Sequence, residues 1–214
     1  MTIELPKKFN YGNQVKIQDG ILKIPSGLCW RDFMYALATA CKGKKCYYCG
    51  EKLRNSDITM DHLYPQDLGG PTITNNLAPT CADCNNKKGN LTEKQFRNLV
   101  KAKDWKKKTI KNRFFDTNEG KKIKKGYYLP REWITSRRLD SIIVCLMLEQ
   151  SYRGKKYNKI EVFYSTYGHL PYPIVVDKNN YLLDGFLIAM FAKNNNIARV
   201  PAIVLDNVEV IINK

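Results

Sequence analysis

Two Cys-x-x-Cys pairs, Cys46 with Cys49 and Cys81 with Cys84, constrain what this chain can fold into more than any other feature. Four thiolates at these spacings make one tetrahedral sulfur site. Zn²⁺ is its natural occupant, because thiolates match its softness and a closed four-sulfur shell leaves no position open for a reacting group. The zinc expected here is structural. Between the pairs lie 31 residues, longer than the roughly 15 to 20 of common zinc modules, so the insert must fold into something of its own. The total of seven cysteines is odd, which argues against a disulfide framework and for a reducing compartment. Cys29 and Cys145 have apolar neighbours and read as buried thiols, while Cys41 precedes a lysine run and carries no signal.

Charge singles out a second region. Lys and Arg number 36 against 20 acids, a net +16 that attracts polyanions. Residues 1–86 hold 10 bases and 8 acids, residues 87–160 hold 22 and 7, and residues 161–214 hold 4 and 5. The excess is therefore confined to the middle, where Lys106, Lys107, Lys108, Lys121, Lys122, Lys124 and Lys125 alternate with Trp105, Phe114, Phe115, Tyr127 and Tyr128. A lysine run is ordinarily a solvated face; confinement to one stretch with interleaved aromatics favours contact with nucleic acid. The longest apolar runs, Ser141 to Leu148 and Phe186 to Ala192, fall far short of the roughly 18 residues that span a bilayer. No apolar segment follows Lys7 and Lys8, so the expected location is cytoplasmic, with no membrane partner.

Local patterns give the order of elements. Val15, Ile17, Leu22 and Ile24 alternate around Asp19-Gly20, which predicts a hairpin. Trp30, Phe33, Met34, Leu37 and Cys41 share a helical face. Within the insert, Ile58 and Met60 alternate with polar residues in a strand ending at Pro65, a loop holds Gly69 and Gly70, and Leu77 lies in a second strand. A helix from Cys81 through Lys88 is stopped by Gly89-Asn90, and Thr92 caps another that places Phe96, Leu99 and Val100 together. Leu139, Ile142, Ile143, Leu146 and Met147 predict a further helix. Ile174 to Val176, Tyr181 to Leu183, a helix from Phe186 to Lys193 and Val200 to Leu205 predict a compact α/β unit.

The insert also carries chemistry. Phosphodiester hydrolysis needs a base for water, a hard cation against the phosphate, and ligands that hold the cation. His62 is one of two histidines and can be neutral near pH 7, so it suits the base. Asp61 and the amide oxygen of Asn85 are hard donors that suit Mg²⁺ or Mn²⁺. Lys88 is placed to hold a phosphate. Asp-His alone is more often a surface turn, and a four-cysteine site alone is more often a structural module; their conjunction inside one insert favours catalysis. Adjacent residues of a flat strand point to opposite sides, so Asp61 and His62 reach one phosphate only where the chain bends, as Pro65 and the two glycines allow.

Residues Cys46 to Gly89 resemble an HNH endonuclease of the four-cysteine type, built on the ββα-metal fold. The resemblance implies that His62 is the general base, that Asp61 and Asn85 hold the catalytic divalent metal, and that Asn76 braces the loop. Many members have His where Asn85 stands, and the Asn form is a family variant. DNA is the implied substrate, cut to leave a 5′-phosphate, with RNA left open. From Pro173 through Val204 the sequence resembles the ParB and sulfiredoxin-like fold, but Phe186, Leu187 and Ile188 stand where that family carries a polar or basic phosphate-handling pair.

The reading that results is an α+β chain. Residues 1–45 form a hairpin and helix packed on the nuclease, residues 46–92 the HNH domain with its structural zinc, residues 93–138 a basic helical connector, and residues 139–214 a small ParB-like α/β domain. The last unit is expected to position DNA, a partner protein or a second copy. The competing reading is a non-catalytic zinc-containing protein that binds nucleic acid without hydrolysing it.

Overall fold

Leu22 and Ile24 face inward while Lys16 and Gln18 face water, and the hairpin forms around Asp19-Gly20 as expected. Its strands β1 (Lys16–Gln18) and β2 (Ile21–Pro25) pair antiparallel with Ile17 opposite Leu22. The structure, a computed structural model, describes residues 1–12, 14–101, 129, 131–144 and 154–212. After the hairpin come α1 (Trp30–Lys42), β3 (Thr59–His62), β4 (Leu77–Thr80), α2 (Ala82–Lys88) and α3 (Glu93–Lys101). Then follow β5 (Thr135–Arg138), α4 (Lys155–Tyr167), β6 (Ile174–Asp177), β7 (Leu182–Asp184), α5 (Phe186–Asn194), β8 (Arg199–Leu205) and β9 (Val208–Ile211). The class is mixed α+β. No helix among the described residues is long and apolar enough to cross a membrane.

Contacts divide the chain into two units, Met1–Phe33 with Leu129–Lys214, and Met34–Tyr128. This grouping differs from the boundaries at 45 and 139 expected from sequence. In the first unit β2 pairs parallel with β9, Leu22 opposite Val208, so the hairpin belongs to a three-stranded sheet β1-β2-β9. Local periodicity carries no trace of a pairing between strands so far apart in the chain. Asn207 fastens the same region, accepting from the Ile3 amide at 2.8 Å and donating back to the Ile3 carbonyl at 3.0 Å.

A second sheet runs β5-β8-β6-β7, with β6 and β8 parallel and Ile174 opposite Ala202. Its core joins Ile174, Val176, Val200 and Ala202 to Tyr157 and Ile160 of α4 and to residues 188–192 of α5. Gly185 opens α5 with φ +89, and a Cβ there would lie 2.9 Å from the Ile174 Cα, so only glycine lets the helix sit this close to β6. Phe186 and Leu187 pack against the core and Ile188 lies inside it.

Two expectations are corrected here. Over residues 139–143 the predicted helix is replaced by a 3-10 turn, Leu139–Ser141, after which Ile142 is extended and Ile143 bridges Tyr181; pairing with the sheet edge overrides the helical spacing at these residues. Leu146, Met147 and Cys145 lie outside the described residues, as do Lys106, Lys107, Lys108, Lys121, Lys122, Lys124 and Lys125. Cys29 is exposed rather than buried, with its thiol donating to Asp32 Oδ2 at 3.1 Å just before α1. Strand β5, which reads Thr-Ser-Arg-Arg, and helix α4, which buries only Tyr157 and Ile160, lack the apolar periodicity that would have announced them.

One buried carboxylate links the two sheets of this unit. Asp177 Oδ1 accepts from the amides of Asn179 and Tyr181, both at 2.8 Å, and Oδ2 accepts from the Val210 amide at 2.9 Å. It therefore closes the β6–β7 turn and holds β9 to it. Asp177→Asn replaces one acceptor with a donor facing a donor, and should cost about 1 to 3 kcal/mol of unfolding free energy in a urea titration.

Candidate functional site

The four cysteines come together as their spacing requires. Their Sγ atoms all lie within 4.8 Å of one another, and Cys49 and Cys81 are 4.0 Å apart. Tetrahedral zinc with Zn–S bonds of about 2.3 Å places its sulfurs about 3.8 Å apart, so the cluster fits the ion with little contraction. Cys81 also caps α2, accepting from the Cys84 amide at 3.4 Å. Burial raises the Cys46 thiol, but amides of Cys49, Cys81 and Tyr48 outweigh it and bring the group down to about 7. Burial and the neighbouring thiols push Cys84 the other way.

The insert is strand, loop, strand and helix. β3 and β4 pair antiparallel with Asp61 opposite Ala78 and His62 opposite Leu77. Between them the chain folds back sharply: a Cβ on Gly70 would lie 1.8 Å from the Tyr64 carbonyl oxygen. Asn76 holds this loop from inside. It is fully buried, its Oδ1 accepts from the Tyr64 amide at 2.8 Å, and its Nδ2 donates to the carbonyls of Tyr64 and Pro71 at 3.1 and 2.9 Å. Lys42 supports the far side, donating to the carbonyls of Thr74 and Leu77 at 2.8 and 2.6 Å.

Asp61 and His62 end β3 and are held from different sides. Asp61 is buried; its Oδ2 accepts from the Tyr48 hydroxyl at 2.7 Å and its Oδ1 from the Lys88 ammonium at 2.9 Å. Lys88 also donates to the His62 carbonyl at 2.8 Å. Burial pushes the Asp61 carboxyl above its ordinary range and the Lys88 ammonium below its own, while their mutual attraction opposes both shifts. Asn85, one turn earlier on α2, donates from Nδ2 to the Met60 carbonyl at 3.3 Å, which sets it beside β3. Helix α2 thus meets the strand at three successive residues.

The imidazole of His62 is buried, with Nε2 3.2 Å from Thr72 Oγ1 and the Tyr35 ring edge-on at 6.4 Å. Burial first, and the Lys88 charge second, hold its pKa down at about 4. It is neutral near pH 7, as a proton acceptor must be.

Lys88 is a correction. Expected on a phosphate, it is wholly buried and its ammonium is spent on Asp61 and the His62 carbonyl. Nothing in the sequence marks Tyr48 or Thr72 for these contacts. Position 48 lies within a zinc knuckle whose spacing says nothing of where its tyrosines point, and Thr72 reaches His62 only through the fold of the loop. The second histidine, His169, packs against Phe163 and Tyr167 with Nδ1 3.0 Å from the Leu170 carbonyl.

Helix α3 belongs to the same assembly. Thr92 and Gln95 cap it reciprocally, the Thr92 amide donating to Gln95 Oε1 at 2.8 Å and the Gln95 amide to Thr92 Oγ1 at 3.4 Å. Its Phe96 packs edge-on against Tyr48 at 4.9 Å, and its Arg97 lies over the Tyr47 ring at 4.7 Å. A family model described as HNH endonuclease matches residues 46–101, about a quarter of the chain, and so takes in α3 as well as the cysteines. No curated protein and no solved structure matches the chain.

Purified without chelators, the protein should carry one zinc per chain by elemental analysis, and Cys84→Ser should lose it together with folding of residues 46–101, because the binding free energy is folding free energy. The depressed His62 pKa has a consequence of its own. Between about pH 6.5 and 4 the unfolded chain binds a proton at this position that the folded chain refuses, so stability falls as pH falls through that window, by up to about 3 kcal/mol. In urea titrations at stepped pH, the stability of the parent relative to His62→Gln should shrink on the way down from pH 7.

Proposed function

We propose that residues 46–101 hydrolyse DNA phosphodiester bonds as a metal-dependent HNH endonuclease, with His62 as general base and Mg²⁺ or Mn²⁺ held by Asp61 and Asn85. What supports the reading above all is the end of β3, where Met60, Asp61 and His62 bring the amide of Asn85, a carboxylate and a neutral imidazole into one short stretch beside α2. The donor chemistry fits the ion. A carboxylate has about four lone-pair sites, of which Lys88 and Tyr48 use two, and Asn85 spends its nitrogen on Met60 and keeps its oxygen. Hard oxygens, few in number, suit a cation that retains several waters. When bound, the cation would neutralise charge on the phosphate and the leaving oxygen.

The chain's own groups supply the rest. With its Nε2 proton directed at Thr72 Oγ1, 3.2 Å away, His62 would have the Nδ1 lone pair to take the proton of the attacking water. Asn76 keeps the loop folded so that Thr72 stays against the imidazole. The basic residues 101–125 provide the phosphate contacts that hold DNA. The C-terminal unit adds positioning and no chemistry, because the residues after Gly185 are apolar and packed into its core; its likeness to the ParB and sulfiredoxin-like fold has no support from the comparisons, whose family match ends at residue 101.

One observation favours the second reading, a zinc-containing protein that binds nucleic acid without cutting it: Asp61 already faces a cation, Lys88. Supercoiled plasmid incubated with and without Mg²⁺ or Mn²⁺ separates the two. The nuclease cuts only with metal and leaves 5′-phosphate ends, and His62→Ala lowers the rate by about 10² to 10⁴ while DNA affinity and zinc content stay near those of the parent. Binding without cleavage under any divalent metal would replace the enzyme with the binder.

A further inference from the structure

In the nuclease reading the cysteine cluster is a scaffold, yet one of its own residues reaches the proposed metal ligand. Tyr48 lies inside the first knuckle, between Cys46 and Cys49, and its hydroxyl donates to Asp61 Oδ2 at 2.7 Å. Its ring is fixed by Phe96, edge-on at 4.9 Å, and by Arg97, whose guanidinium carbon is 5.5 Å from the ring centroid. Lys88 approaches the same carboxylate from the other knuckle, since α2 is capped by Cys81, contains Cys84 and ends on Lys88. Each oxygen of Asp61 is therefore held by one donor, and each donor is carried by one half of the sulfur cluster.

We infer that Tyr48 is a positioning residue, through which the zinc knuckle fixes the orientation in which Asp61 meets a divalent cation. The inference rests on the nuclease reading. A carboxylate clamped at both oxygens loses its rotational freedom before the cation arrives and keeps a lone pair on each oxygen for it. Partners of this kind, once removed, typically cost 10- to 100-fold in metal affinity.

The test is Mn²⁺ binding to the DNA-free, zinc-loaded protein, followed by electron paramagnetic resonance, with zinc content and thermal unfolding measured alongside. Tyr48→Phe keeps the ring and its packing and removes only the hydroxyl; it should retain zinc and bind Mn²⁺ about tenfold more weakly. Leu37→Ala, a fully buried residue of α1 outside residues 46–101, serves as a destabilised control and should bind Mn²⁺ like the parent. Parent-like affinity in Tyr48→Phe would overturn the inference, as would an equal loss in Leu37→Ala, which would trace the effect to stability alone. If the parent binds no Mn²⁺, the nuclease reading fails and takes this inference with it.

Discussion

Residues 46–101 depend on four sulfurs meeting within 4.8 Å of one another. The pieces they gather are too small to stand alone: two strands of four residues each make a pair that is marginal in water, and α2 has seven residues, well below what holds an isolated helix. The cluster ties the first knuckle to the start of α2, and the Tyr47 amide joins the same knuckle to β4 by donating to the Pro79 carbonyl at 2.9 Å. From the knuckle the Tyr47 hydroxyl reaches Glu93 at 2.8 Å, and Arg97 covers its ring, so α3 is docked on the same centre. A metal held by these sulfurs would supplement the few buried apolar side chains of the segment, Leu68, Ile73, Leu77, Leu91 and Phe96 among them.

Around that centre the insert buries charge. Lys88 is wholly inaccessible and Asp61 nearly so, and removing either partner from such a pair typically costs about 3 to 5 kcal/mol because the other charge is left alone in a low dielectric. The same dryness governs His62. With water excluded and an ammonium nearby, the imidazole gives up its proton far below its usual pKa and is neutral at pH 7. Burial thus fixes protonation states as well as geometry, and it explains why a lysine that looks like a phosphate ligand in sequence serves instead to neutralise a carboxylate and to bind helix to strand.

The first unit is built on different physics. Its cohesion is apolar, with α5 buried along residues 188–192 against both parallel strands of its sheet. The close approach at Gly185 and the three hydrogen bonds to Asp177 set where the helix starts and how the sheets join. Because Phe186 and Leu187 are drawn into packing, the first turn of α5 has given its side chains to the core.

Spacing and local period determined much of this protein. The two Cys-x-x-Cys pairs specified the sulfur cluster, Asp19-Gly20 the hairpin, Gly89 the end of α2, and the neighbours Asp61, His62 and Asn85 the polar end of β3. These are short-range facts, set by bond geometry, turn chemistry and residue type. What the sequence left unstated is what each polar group meets. Tyr48 against Asp61, Thr72 against His62 and the burial of Lys88 arise where segments distant along the chain are packed together, and neither composition nor period records which face of a knuckle or loop turns inward. The pairing of β2 with β9 and the bridge of Ile143 to Tyr181 are of the same kind: hydrogen bonding across the fold satisfied backbone groups in a way that local preference did not contain.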